Sequence, residues 1–143
     1  STIYEGTNGI QALDLVGRKL ADGGEAATTL IEEICAGAEA ARASHPDLAD
    51  PVYEAAESLR DATEWLVDLP AADRQAGAVA YQRAFARVLG AHAHLIAAQK
   101  GDAGRARLAA FYIRTLLPEH GALLDSVKAG DTVDALMPDD LVA

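Results

Sequence analysis

Helical apolar spacing, repeated between short breaks, constrains this chain more than anything else in it. Apolar residues return every three or four positions from Leu30 to Ala41, Val52 to Leu69, Tyr81 to Ile96 and Leu108 to Leu117. Side chains at that spacing share one face of a helix, where two-residue alternation would mark a strand. The stretches are separated by Gly23-Gly24, Ser44-His45-Pro46, Leu69-Pro70 and Lys100-Gly101. Glycine permits the left-handed geometry that closes a helix, and a residue before proline is pushed away from helical backbone. Composition agrees: hydrophobic residues make up 50% of the 143, alanine supplies much of that, and aromatics are only 5%. That bias favours closely packed helices over a sandwich of sheets.

Such brief connections place successive helices side by side and antiparallel. The expected fold is therefore all-α, an up-and-down antiparallel bundle of four main helices plus a leading one. The leading helix is expected from about Asn8 to Ala21 and the second from Glu25 to about Ala43, burying Leu30, Ile31, Ile34, Cys35, Ala38 and either Ala41 or Arg42. The third takes Asp50 as cap and Pro51 in its first turn, where proline's missing N–H costs nothing, and ends near Leu69-Pro70. Trp65 lies beside its stripe as a packing anchor or inter-domain contact, with Glu57 and Asp61 facing water. The fourth runs from Ala72 or Asp73 to Gln99 and the fifth follows the Asp102 cap, burying Leu108, Ala109, Tyr112, Ile113, Leu116 and Leu117. Pro118 either kinks the fifth or starts a short helix to about Ala129, and a kinked continuation is the expectation. Beyond Gly130 an acidic tail packs loosely or frays.

A net charge of −10, with no cluster among the twelve Lys and Arg, argues against nucleic acid. No stretch reaches the length of apolar residues a membrane span requires. The single Cys35 has no His or cation one turn away, so it reads as a buried structural thiol, and lone-cysteine usage suits a reducing cytoplasm. His92 and His94 stand two apart and point to nearly opposite sides of a helix, so they do not grip one metal ion. His92 reads as a core or interface histidine with a satisfied hydrogen bond, His94 as a surface residue, and His45 as an exposed turn residue. Glu32, Glu33 and Glu39 form a solvated acidic face.

The first residues are different. Glu5 is followed by Gly6, whose lack of a side chain leaves the glutamate's peptide N–H and carboxylate open to approach. Thr7 or Asn8 then caps the leading helix, so its positive end lies beside Glu5. By spacing alone this describes a solvated glutamate or a favourable charge near a helix dipole. The whole string Tyr4-Glu5-Gly6-Thr7 with Ile10-Gln11, continued by Ala12-Leu13-Asp14-Leu15-Val16-Gly17-Arg18-Lys19-Leu20, resembles the C-terminal catalytic segment of acyl-CoA dehydrogenases, in their larger bacterial subgroup.

The resemblance implies that Glu5 removes the α-proton of an acyl-CoA thioester while the β-hydrogen leaves as hydride to FAD. It also implies that the Glu5 peptide N–H helps bind the thioester oxygen, that Gly6 touches substrate, and that Thr7 and Asn8 contact FAD. Asn8-Gly9 stands where many members have serine-glutamine. Residues 1–22 are then the end of a dehydrogenase core, and 23–143 resemble the helical domain appended in the larger enzymes. Implied partners are acyl-CoA, an electron-transfer flavoprotein and further copies in a homo-oligomer. Flavin-binding segments would belong to the rest of a longer enzyme, leaving this portion inactive alone. The alternative is a non-catalytic helical interaction module in which Glu5 is incidental.

Overall fold

The computed structural model describes residues 20–134, with side chains described to residue 129. The elements are α1 (Glu25–Ala41), α2 (Pro46–Asp68), a 3-10 segment (Ala71–Gly77), α3 (Ala78–Lys100), α4 (Ala103–Thr115) and α5 (Glu119–Asp134). Among the described residues the fold is all-α, as the spacing predicts.

The chain enters through the paired glycines. Gly23 and Gly24 adopt φ of 78° and 77°, the left-handed region that other residues enter only at a cost. Gly24 is doubly required, because a Cβ there would lie 2.9 Å from Val67 Cγ2. Asp22 does what a helix cap does: its carboxylate accepts the N–H groups of Gly24, Glu25 and Ala26 at 2.9, 3.1 and 3.2 Å.

Helix α2 begins earlier than its Asp50-Pro51 signal indicates. His45, kept out of helical backbone as a residue before proline should be (φ −138°, ψ 62°), precedes Pro46 in the first turn, and Pro51 falls inside the helix. A second proline signal thus wins over the first. The missing Pro51 donor leaves the Asp47 carbonyl, on an exposed residue, without its helical partner, while the extra turn buries Leu48 and Ala49. Its far end is closed by a side chain from the next element: Arg74 donates to the Leu66 carbonyl at 2.8 Å and the Val67 carbonyl at 2.9 Å. That anchor falls in the 3-10 stretch, where an α-helix is expected from Ala72 or Asp73.

The break at Leu116–Pro118 is sharper than a kink. Proline has no N–H to continue the ladder, and Glu119, His120 and Gly121 donate instead to the carbonyls three residues back. α5 is therefore a separate helix, and it extends past Ala129 to Asp134. The direction of the chain is nevertheless kept. Tyr112 of α4 donates to the Arg87 carbonyl at 3.1 Å, Glu119 at the start of α5 accepts from Arg87 at 2.7 Å, and a Cβ at Gly77 would lie 3.0 Å from the Val127 backbone. α4 and α5 thus descend α3 in turn and together supply the fourth rod of the bundle.

The core joins the expected stripes: Ile31, Ile34, Ala38 and Ala41 of α1, Val52, Leu59 and Leu66 of α2, Tyr81, Phe85, Val88 and Leu95 of α3, Ile113 and Leu117. Ala41, not Arg42, is the buried alternative. Leu20 is fully buried in the same core. Leu108 is a correction: expected inside, it is 59% exposed, because α4 lies on one side of α3 and turns only Ala109 and Ile113 fully inward.

Candidate functional site

Glu5, Gly6, Thr7 and Asn8, the predicted base, substrate and FAD residues, lie outside the described residues, as does most of the expected leading helix. What the described residues offer is a set of polar contacts between helices.

The first surrounds Cys35. Its thiol donates to Glu57 Oε1 at 3.5 Å, and Arg60 approaches the sulfur at 3.8 Å and Glu57 at 3.5 Å. Glu57, expected to face water, is half-buried here, and the cation missing from α1 arrives from α2. Burial pushes the Cys35 thiol up, the hydrogen bond and negative charge of Glu57 push it further, and Arg60 opposes them more weakly. A thiol held protonated is a poor nucleophile, so the structural reading of Cys35 fits its surroundings.

The second is Thr63 with Tyr81. The buried Thr63 hydroxyl donates to the Leu59 carbonyl at 2.7 Å and accepts from the Tyr81 hydroxyl at 2.7 Å. Burial raises Tyr81 to about 12, so it serves as a neutral donor. The third joins α3, α4 and α5. Arg87 grips Glu119 through Nε and Nη2 at 3.0 and 2.7 Å, and Tyr112 lies so tightly on Gly90 that a Cβ there would collide with its hydroxyl. His94 stacks on Tyr112 with ring centroids 4.7 Å apart, half-buried, not on the open surface.

His92 corrects an expectation too. It is half-buried against Gly37, but its buried Nδ1 has no hydrogen-bond partner. Desolvation lowers its pKa, and the negative charge of Glu33 offsets this only in part. His45, the residue before α2, is half-buried at a helix start and makes a 3.0 Å contact with the Ser44 hydroxyl.

A surface cleft between α2 and α5 is lined by Ser58, Asp61, Gly121, Leu124, Asp125 and Lys128. Among the described residues no group of three or more His, Cys, Asp or Glu could hold a metal ion, and no helix is long and apolar enough to cross a membrane. These contacts hold helices together, and the one thiol among them, Cys35, is held protonated beside Glu57. Asp22, Thr63, Arg74 and Arg87 were not legible as such, since short-range spacing signals neither a partner on another helix nor, at Asp22, a cap beyond a double glycine.

The fold and its contacts define an all-α helical bundle domain. A family profile described as acetyl-CoA dehydrogenase C-terminal like matches residues 27–138, most of the chain, and the chain belongs to that family. It is thereby a C-terminal segment of the acyl-CoA dehydrogenase type. The match covers the bundle and begins beyond Glu5. No curated protein and no solved structure matches the chain.

Proposed function

We propose that this chain is the C-terminal portion of an FAD-dependent acyl-CoA dehydrogenase, with Glu5 as catalytic base and the bundle as an appended domain inactive alone. The observation that carries it is the conjunction of two separate signals: the Tyr4-Glu5-Gly6-Thr7 string and the family match over residues 27–138. Glu5 takes the α-proton of an acyl-CoA thioester. The peptide N–H of Glu5 donates to the thioester oxygen, where negative charge grows as the proton leaves, so a fixed donor there favours the transition state. Gly6 lets substrate approach the backbone, and Thr7 and Asn8 contact FAD, which when bound supplies the hydride acceptor. An electron-transfer flavoprotein in the cytoplasm is the proposed electron acceptor.

The test is Glu5→Gln in the enzyme that carries this segment. Acyl-CoA-dependent bleaching of the flavin should fall by at least about 10³-fold, since both proton removal and charge at the site are lost, while FAD stays bound. Bleaching at the parental rate would exclude Glu5 as base. A second reading, a non-catalytic helical interaction module, is favoured by the exposed apolar side chains Leu108 and Phe111. It predicts that Glu5→Gln leaves turnover untouched.

A further inference from the structure

His92 of α3 meets α1 at Gly37, and the missing side chain of that glycine makes the room. A Cβ at Gly37 would lie 2.8 Å from the ring's Cε1 and 3.1 Å from its Nδ1. In this notch Nδ1 is buried without a hydrogen-bond partner. A neutral imidazole tolerates that, because Nδ1 can stay a bare lone pair with the proton on Nε2. A charged imidazole does not. Both ring nitrogens then carry N–H groups, and a buried charged donor without an acceptor is far costlier than an idle lone pair.

The groups around the ring leave it one partner. On α1, Glu33 stands one turn from Gly37, is exposed, and already acts on His92 through its negative charge. Helix α2 turns Leu48, Val52 and Ala55 inward and keeps Asp47, Asp50 and Glu54 exposed, while its Glu57 and Arg60 are engaged at Cys35. On α3 itself Arg83 and Lys100 are exposed, Arg87 is held by Glu119 of α5, and His94 stacks on Tyr112. The cations of α4, Arg105, Arg107 and Arg114, are exposed. Desolvation in the notch outweighs the pull of Glu33, so the ring is neutral there at pH 7.

We propose that the His92 ring in the Gly37 notch is a proton-operated latch between α1 and α3: neutral, it fills the notch, and protonated, it swings out to pair with Glu33 and loosens α1 at that height. The two states differ in side-chain rotamers, so the helices themselves persist in both. Leaving the notch gives up packing between the helices, and the exposed ion pair with Glu33 restores only part of it. The latch is therefore shut at pH 7 and opens as pH falls below 6.5, the ordinary value of the imidazole. This inference stands apart from the role of Glu5.

The test is a titration of the full 143-residue chain from about pH 7 to pH 5, followed by NMR of the His92 ring and by hydrogen exchange. As the ring becomes charged its proton contacts with Gly37 should disappear. Protection of α1 around Gly37, corrected for the intrinsic exchange rate, should fall at least roughly threefold while that of α4 holds. His92→Gln should abolish this response of α1. Glu33→Gln, at an exposed position, should shift the ring's titration to lower pH, because the charged ring loses its partner. Gly37→Ala fills the notch and should leave α1 loosened already at pH 7, with little further change on acidification; if that variant does not fold, the Glu33→Gln titration decides the matter. A charged ring that keeps its contacts with Gly37, equal losses of protection in α1 and α4, or a Glu33→Gln titration that matches the parent would each overturn the proposal.

Discussion

Thr63 sits on a helix whose inward positions are otherwise apolar, and its hydroxyl is shared between its own helix and Tyr81. Thr63→Val keeps the shape and removes the acceptor, leaving the buried Tyr81 hydroxyl without a partner. Stability should fall by about 1–3 kcal/mol, read from the urea midpoint at constant slope. His92 makes a prediction in pH. Its pKa in the fold lies below the ordinary 6.5, so between those values the unfolded chain binds the proton that the folded chain refuses. The neutral ring costs nothing above pH 6.5, and stability is lost as pH falls below it. The drop in Tm from pH 7 to pH 5 should therefore be smaller in His92→Gln than in the parent; equal drops would show that His92 does not contribute. Both residues lie on stripes that spacing reveals, but whether a buried polar atom finds a partner depends on the neighbouring helix.

At the scale of elements, most of the buried faces were legible and the boundaries less so. Ile31, Ile34 and Ala38, or Val52, Leu59 and Leu66, recur at helical spacing whatever surrounds them. Pro46 and Pro51 both look like a first turn, and burial of Leu48 and Ala49 decides between them. Pro118 ends one helix and precedes another, yet contacts with α3 keep the two in line. The junction after α2 rests on Arg74, whose guanidinium takes two carbonyls that the helix end leaves free. Arg74→Ala should cost about 1–2 kcal/mol, since bonds to a charged donor exceed neutral ones, and hydrogen exchange in the last turn of α2 should quicken most.

Across the whole molecule, the core reaches back to the segment before the paired glycines. Leu20 is fully buried with Val67 and Thr63 nearby through Gly24. Leu20→Ala should destabilise the entire bundle by about 3 kcal/mol in a single cooperative transition, measured by denaturant unfolding. A loss confined to local fraying would show that Leu20 only rests on the surface.

Alanine-rich helical periodicity and its Gly and Pro breaks were enough to specify an all-α bundle, because a helix's inward face is set by residues three and four apart in one segment. The Glu5 string, likewise, is a property of contiguous residues. Tertiary structure alone decided that Glu57 and Arg60 meet Cys35, that Arg74 closes α2, that His92 has no partner, and that Leu108 and Phe111 face outward. Those outcomes depend on which helices become neighbours and at what height, a relation between distant segments that no local spacing encodes.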